Sequence, residues 1–194
     1  MSGLIAPSYT TFFTANGECS IAWNDKGIAN LLLPTNYPAD VERWRKRRVP
    51  EARRDTPDER VTAVIDAATR YFEGVSVDFS EVPVDLSGQS EFFTQIYRAL
   101  RLVKYGETTT YGALARNLGA GPEMARDVGA AMATNPVPLI IPCHRVLAAG
   151  GKVGGFSAPG GATSKIRMLR LEGVEVSEPK PGKPAPSAQG GFKF

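Results

Sequence analysis

The first ninety residues alternate between short apolar runs and turn residues, as the strands of an antiparallel sheet do. Residues 9–13, 19–23 and 28–33 are rich in apolar and β-forming side chains. The stretches 16–17 and 24–27 contain the Asn, Asp and Gly residues that tight hairpin turns prefer. The pattern therefore predicts three antiparallel strands.

Two helices and a further strand are predicted next. Residues 40–48 are expected to form a short basic helix, and residues 75–79 a strand. Residues 58–72 form an amphipathic helix by their spacing of apolar positions at Val61, Val64, Ile65, Ala68 and Phe72. We interpret residues 1–85 as a small N-terminal α/β domain and 86–90 as a linker.

The second half of the chain has helical periodicity. Residues 91–103 predict one helix, and Thr110 is a natural N-cap for another over 111–118. A glycine-containing turn then precedes a helix from Pro122 to about Ala133. Two helices joined by a three-residue turn have the spacing of a helix-turn-helix motif.

The end of the chain is predicted to be less regular. Residues 147–161 are expected to form a glycine-rich hairpin and loop, and 163–171 the last helix. The second domain would therefore span 91–176. Residues 177–194 contain four prolines and few apolar side chains, which predicts a disordered tail.

Composition narrows the class of protein. The chain is 42% hydrophobic and 22% charged, which is ordinary for a globular protein. No run approaches the roughly 20 apolar residues of a membrane helix. Residues 1–13 lack the features of a signal peptide, so we expect a cytoplasmic protein without membrane attachment. Two cysteines are not a disulfide framework, so Cys143 can remain a thiol.

Charge is unevenly distributed. Residues 1–90 carry 10 Lys/Arg and 13 Asp/Glu, a net charge of −3, whereas residues 91–194 carry 13 and 7, a net charge of +6. This asymmetry suggests that the second half meets a polyanion, although chance variation is about as good an explanation. The predicted helix 122–133 has small residues at Gly129, Ala130 and Ala131, and Arg126 projects from it. Such a face fits the narrow minor groove of DNA, while close helix packing is the competing explanation.

The heptad Ile140–Val146, IIPCHRV, pairs a cysteine with the chain's single histidine. A structural zinc site is excluded because it needs four ligands, and the chain holds only three Cys and His residues. A buried, inert thiol is the default interpretation for a lone cysteine. The alternative is a catalytic site in which Cys143 is the nucleophile, His144 is its base and Glu172 orients the base.

The stretch NPVPLIIPCHRVLAAGGKVGGFSAPGG, followed by Lys165, Leu169 and Glu172-Gly173, closely resembles the O6-alkylguanine-DNA alkyltransferases, also called methylated-DNA–protein-cysteine methyltransferases. The resemblance is strong from Phe92 to Gly173, and residues 1–90 match only in general layout. It implies repair by direct reversal. Cys143 would take the alkyl group from guanine O6, with O4-methylthymine as a further candidate substrate. Each molecule would act once, because the thioether product is stable.

The resemblance also implies roles for individual residues. His144 would act as the base through a water, Glu172 would hold the imidazole, Asn135 would be a hinge, and Tyr111 would donate a proton to the leaving guanine. Arg126 would fill the gap left by the flipped nucleotide. The other DNA-binding positions would be Thr110, Gly129, Ala130 and Ser157, and the pocket would be formed by Tyr111, Val146, Gly154, Phe156 and Ser157. The chain departs from the family pattern at Phe156, where a hydroxyl is missing, and at Ala162-Thr163.

The implied fold is α+β, with a small N-terminal ribonuclease-H-like α/β domain followed by a C-terminal winged helix-turn-helix domain. The implied partner is double-stranded DNA with alkylated bases, bound through the minor groove by a monomer, without cofactor or metal. The alternative from the same fold is a non-catalytic lesion-binding protein that flags damage for another pathway. A plain winged-helix regulator fits less well, because it has no use for the glycine-rich loop and the PCHR motif. A cysteine hydrolase would need an oxyanion hole, and Pro142 beside the nucleophile removes one nearby backbone donor.

Overall fold

The structure is a computed structural model that describes residues 6–119 and 121–176. Its first half contains a four-stranded sheet in the order β3-β2-β1-β4. The three predicted antiparallel strands are confirmed as β1 (Ser8–Thr14), β2 (Gly17–Asn24) and β3 (Gly27–Thr35). Gly17 closes the first hairpin with a φ of 126°, and a Cβ there would lie 2.6 Å from the Thr35 carbonyl oxygen. Only glycine fits this turn.

The fourth strand is not the predicted one. Residues 75–79 form no strand, and the edge of β1 is instead paired in parallel by β4 (Arg53–Arg54). The carbonyl groups of Phe79, Ser80 and Val82 accept hydrogen bonds from the Arg101 guanidinium, at 3.0, 2.6 and 2.7 Å. A side chain thus satisfies the backbone that the sequence pattern assigned to a strand ladder and the turn after it.

Two helices cover opposite faces of the sheet. The predicted helices are confirmed as α1 (Pro38–Arg48) and α2 (Glu59–Phe72). Asp58 caps α2 by accepting a hydrogen bond from the Val61 N–H at 2.9 Å. Successive residues of β2 point to opposite faces, so that Ala22 packs with the α1 side, while Ile21 and its alternate neighbours pack with α2 in the main core.

The second half is mostly helical. α3 (Glu91–Leu100) begins at the Ser90 cap, as predicted, but ends three residues earlier than expected. The backbone turns there, and the Val103 carbonyl accepts a hydrogen bond from Arg145 Nη1 at 2.6 Å. α4 (Tyr111–Asn117) is capped by Thr110, and α5 (Ala125–Thr134) packs against it after a 3₁₀ turn that starts at Pro122.

The segment after the thiol does not form the predicted hairpin. A 3₁₀ turn over Cys143–Arg145 leads into β6 (Val146–Leu147), which pairs in parallel with β5 (Thr109–Thr110). Ala148 then donates to the Lys152 carbonyl at 2.9 Å and closes a tight turn. The chain then runs on in irregular form to α6 (Gly161–Leu171).

The two halves share one continuous apolar core, which extends from Phe12 in β1 to Met168 in α6. Leu31 in β3 also donates a backbone hydrogen bond to Pro136, just after α5, at 3.0 Å. The fold is therefore mixed α+β, as predicted. Within the described residues, no helix is long and apolar enough to cross a membrane. The predicted tail, 177–194, lies outside the described residues.

Candidate active site

Cys143 follows a tight turn that the Asn135 side chain braces at both ends. Asn135 Nδ2 donates to the Ile141 carbonyl at 2.8 Å, and its Oδ1 accepts from the Val137 N–H at 3.0 Å. Leu139, at the middle of the turn, has a left-handed φ of 79°, a strained conformation for a residue with a Cβ. Asn135 thus fixes the chain that joins α5 to the thiol.

His144 and Glu172 form a fully buried pair. His144 Nε2 lies 2.7 Å from Glu172 Oε1, and both side chains are inaccessible to solvent. Arg145 contacts the same carboxylate, with Nε 2.9 Å from Oε2 and Nη2 3.0 Å from Oε1. The Gly106 N–H donates to Oε2 at 3.1 Å. Burial alone would raise the pKa of Glu172, but hydrogen bonds from His144 and Arg145 lower it to about 2. Glu172 is therefore an anion.

These contacts determine the state of the imidazole. Because Glu172 is ionised and accepts only, His144 Nε2 must carry the proton that it donates. Burial lowers the pKa of His144, although Glu172 opposes the effect, so the ring is neutral at neutral pH. His144 Nδ1 is then a bare acceptor, and it has no hydrogen-bond partner among the described residues. The free nitrogen can take a proton.

Cys143 is only 4% exposed. Burial raises the pKa of its thiol, whereas a hydrogen bond from Asn135 and the charge of Lys165 act to lower it. The net effect is upward, so Cys143 is a thiol at rest, and a nucleophilic role would require a base to remove its proton. A neutral imidazole with a free nitrogen, next to it in the chain, is suited to that role.

Two residues of this site were not recognised in the sequence as having a role. Lys165 is 1% exposed, donates to the Val146 carbonyl at 2.5 Å, and has Nζ 5.9 and 5.8 Å from the ring centres of Tyr111 and Phe156. One signal was available, because Lys165 is a lone cation in the otherwise apolar buried stripe of α6. Its ammonium group is within cation–π range of both rings, and Tyr111 and Phe156 both line the cavity beside Cys143.

The other is Tyr71 of α2, in the N-terminal half. Its side chain is completely buried, and its hydroxyl donates to Glu172 Oε1 at 2.8 Å and lies 3.3 Å from His144 Nε2. The sequence showed only that position 71 lies near the apolar stripe of α2. The contact joins residues 101 positions apart, which no local pattern indicates.

A cavity of about 410 Å³ opens beside the thiol, within the size range of small-molecule sites. Its wall consists of Tyr111, Gly129, Met132, Ala133, Cys143, Gly155, Phe156 and Ser157. Of the predicted pocket residues, Tyr111, Phe156 and Ser157 therefore lie at the cavity. Val146 and Gly154 do not line it. Gly154 instead lies against Tyr111, since a Cβ at Gly154 would come 3.3 Å from the Tyr111 hydroxyl oxygen.

The outer face of α5 lies beside this cavity. Arg126, Ala130 and Ala133 are exposed on it and Gly129 is half-buried, whereas Val128, Ala131 and Met132 face the core. Thr110 is half-buried, and its hydroxyl is engaged as the α4 cap, 3.1 Å from the Ala113 nitrogen. The result is a small-residue helix face with a single long cation, next to a pocket that contains a thiol.

Comparisons with known proteins agree with this arrangement. Residues 91–174 match the family model described as 6-O-methylguanine DNA methyltransferase, DNA binding domain. The methylated-DNA–protein-cysteine methyltransferase of Mycobacterium tuberculosis is 34% identical over 166 residues, which cover 84% of this chain and 91% of the relative. The chain belongs to this family. The resemblance seen in the sequence is therefore confirmed.

One further relative and two solved structures are also similar to this chain. The "DNA base-flipping protein" of Thermus thermophilus is 44% identical over 111 residues, which cover 57% of this chain and 72% of that protein. A crystal structure of Mycobacterium tuberculosis O6-methylguanine methyltransferase superposes with a TM-score of 0.67 and 32% identity, covering 86% of this chain and 92% of that one. A structure of Mycobacterium tuberculosis OGT in complex with DNA superposes with a TM-score of 0.69 and 31% identity, covering 85% of this chain and 92% of that one.

Proposed function

We propose that the protein repairs DNA by moving an alkyl group from O6 of guanine to its own Cys143, once per molecule. The observation that carries the proposal is the position of Cys143, which lies at the wall of a base-sized pocket and next to a neutral histidine held by an ionised glutamate. A buried thiol kept only for packing would need neither.

The chemistry is a displacement at the alkyl carbon. His144 Nδ1 accepts the thiol proton through a bridging water, and Glu172 stabilises the imidazolium that results. The thiolate of Cys143 then forms the carbon–sulfur bond as the carbon–O6 bond breaks. The electron pair of that bond leaves with guanine, and the products are S-alkylcysteine and guanine.

The guanine anion is a poor leaving group and needs a proton. Tyr111 lines the pocket, and burial raises the pKa of its hydroxyl, with the nearby Cys143 acting in the same direction. Tyr111 therefore stays protonated and can donate to the departing base, while the proton held by His144 restores the balance. Lys165, above the Tyr111 ring, keeps the hydroxyl at the pocket.

The damaged base must leave the duplex to reach this pocket. Flipping a nucleotide costs a few kcal/mol, and a filler in the stack offsets part of that cost. We assign Arg126 to this role and the Gly129–Ala130 face of α5 to the minor groove, together with Thr110 and Ser157. The DNA-bound structure of the Mycobacterium tuberculosis relative supports DNA as the partner. We assign the hinge role between α5 and the active site to Asn135, whose side chain braces the turn before Cys143.

The finer fold assignments belong to the same proposal. Residues 91–176 would form a winged helix-turn-helix domain, which the capped α4, the short turn and α5 support. Residues 1–85 would form a ribonuclease-H-like domain, which the sheet with helices on both faces supports. Residues 86–90 would be the linker between them.

A second function is favoured by one observation, the 44% identity to a DNA base-flipping protein. In this alternative the chain flips and marks the lesion without reacting. Intact mass spectrometry after mixing with an O6-methylguanine duplex separates the two. We expect the mass to rise by one methylene, on the Cys143 peptide, and to saturate at one per protein. Binding without a mass change would exclude the transfer function and leave the marking function.

A further inference from the structure

The N-terminal half carries an exposed basic surface on the C-terminal end of α1 and on β4. We define this basic surface as Lys46, Arg47, Arg48, Arg53 and Arg54, all of them exposed. Residues 38–55 contain seven Lys/Arg and four Asp/Glu, a net charge of +3. The rest of the first ninety residues contains three and nine, a net charge of −6. Positive charge is therefore concentrated in one place in an otherwise acidic half.

Most of these cations are not neutralised within the described part of the chain. Arg43 pairs with Asp40, and Arg45 and Lys46 pair with Glu42. Arg47, Arg48, Arg53 and Arg54 have no ion pair there, although Asp55, which follows them, is engaged by the Ser8 hydroxyl at 3.0 Å. Basic residues at a helix C-terminus interact favourably with the helix dipole and so stabilise the helix, which accounts for Arg47 and Arg48. That explanation does not cover Arg53 and Arg54, which lie outside the helix.

The basic surface adjoins the candidate active site. Arg48 Nη1 donates to the Thr134 carbonyl, the last residue of α5, at 3.4 Å. Arg48 and Trp44 also line a small cavity whose wall includes Asn135, Cys143 and Ser157. That cavity shares Cys143, Met132, Phe156 and Ser157 with the base pocket. Arg48, at the end of α1, therefore connects the basic surface to α5 and the pocket mouth. Arg53 and Arg54 follow on β4, at the edge of the sheet opposite β3.

We propose that the basic surface binds phosphates of the DNA duplex on the side of the lesion that faces α1. This inference rests on the proposed function, and it extends the DNA footprint from the second half of the chain to the first. The proposed occupant is the DNA backbone, a polyanion. Four arginines within eight positions have no ion pair among the described residues, and one of them, Arg48, contacts the end of α5, the helix assigned to DNA in the proposed function. Charged side chains that neutralise phosphates release counterions, which makes binding dependent on salt.

The test compares two variants, a triple variant that removes three positive charges and a double variant that removes two. Binding of each to a lesion-containing duplex is measured over a range of salt concentrations. Arg47→Gln/Arg53→Gln/Arg54→Gln removes basic-surface cations that make no side-chain hydrogen bond within the described residues, and leaves the Arg48 contact intact. Arg60→Gln/Arg70→Gln is the control, because both residues lie on α2, over the opposite face of the sheet. Reaction with free O6-benzylguanine, which has no phosphate, is measured for each.

We expect the triple variant to bind about tenfold or more weakly at low salt, with a salt slope shallower by about 0.9 for each lost phosphate contact. Its rate with free O6-benzylguanine should match that of the unaltered protein, and the control should bind as the unaltered protein does. Unchanged affinity and slope in the triple variant would overturn the inference while leaving the transfer function intact. An unaltered protein that gains no mass on Cys143 would overturn the proposed function instead.

Discussion

The chain contains two buried cysteines in different surroundings. Cys19, in β2, is 1% exposed, and Cys143 is 4% exposed. Burial raises the pKa of both thiols, that of Cys19 to about 12. Cys19 is surrounded by the sheet core, whereas Cys143 lies between Asn135, Lys165 and a cavity, with His144 adjacent. Burial therefore does not distinguish an inert thiol from a nucleophile, but a free base and an approach for substrate do.

The largest expected effect is the difference between the two alanine variants. Cys143→Ala should abolish the mass gain from an O6-methylguanine duplex while keeping lesion binding, because the acceptor atom is gone and α5 is untouched. Cys19→Ala should keep full transfer and lose stability by about 1–3 kcal/mol, as small core truncations do. Intact mass spectrometry and thermal melts measure both. Transfer by the Cys143 variant would show that the nucleophile is another residue.

The next effect removes what makes Cys143 different. Glu172→Gln deprives His144 of its anion and leaves Arg145 buried without a counter-charge. We expect transfer to slow about 10²-fold, within the range attributed to acid–base catalysis. Loss of one partner of a buried pair should also cost about 3–5 kcal/mol of stability. The rate is measured from the time course of transfer from O6-benzylguanine, and the stability loss from thermal unfolding. Glu175→Gln, at an exposed position, is the control.

The same variant changes the response to acid. The pKa of Glu172 is about 2 in the folded protein, against an ordinary value of 4.5. Its charge therefore stabilises the fold above about pH 4.5, and this stabilisation is lost as the pH falls toward 2. The variant should lack that part of the acid transition. If Glu172→Gln proves too unstable, Glu172→Asp keeps the charge and withdraws it from His144, so a slow but folded protein is expected. Full activity in both variants would contradict the role of Glu172.

A smaller effect separates the chemistry at Cys143 from access to it. Arg126→Ala should slow repair of duplex DNA by about tenfold or more, since the flipped state loses its filler, while benzylguanine reacts at the normal rate. Arg167→Ala is the matched control. Arg167 is also an exposed arginine on a helix, but it lies beside Asn16 and Phe72 and does not line the pocket at Cys143. Equal losses with both substrates would assign Arg126 to folding or to the pocket.

Sequence reasoning located the parts of the site that are local. Cys143 and His144 are neighbours in the chain and Glu172 lies at a helix end, so each had a signal within a few residues. The predicted small face of α5 holds at Gly129 and Ala130 but was wrong at Ala131, which points into the core because consecutive helix positions do not share a face. Tyr71 reaches the site only through tertiary packing, and no local pattern indicates it. Lys165 had a local signal, as a lone cation in the apolar stripe of α6, but its contacts with the site are long-range. The predicted strand over 75–79 was wrong, and Arg101, 22 positions away in the chain, binds the carbonyl at its end, that of Phe79. What is decided by long-range contacts could not be read from a local pattern.

Tyr71 gives the smallest and sharpest test of whether the first half takes part in the chemistry. Its hydroxyl and His144 both donate to Glu172 Oε1. Removing the hydroxyl leaves more of the carboxylate's negative charge facing His144 and takes away one of the hydrogen bonds that fix the position of the carboxylate. Tyr71→Phe keeps the ring contacts with Phe72 and Tyr105 and removes only the hydroxyl. We expect a stability loss of about 1.5–3 kcal/mol, typical of a hydrogen bond to a charged group.

The rate of benzylguanine transfer in Tyr71→Phe should fall a few-fold, and its pH profile should shift upward, because an imidazole held more strongly by the carboxylate gains basicity and keeps its proton to higher pH. A purely structural tyrosine would lower stability without moving the profile. Tyr37→Phe, at an exposed position on the same half, is the control for loss of a hydroxyl. An unshifted profile with an unchanged rate would confine the first half to support of the fold, and would leave the difference between Cys143 and Cys19 entirely to residues 91–174.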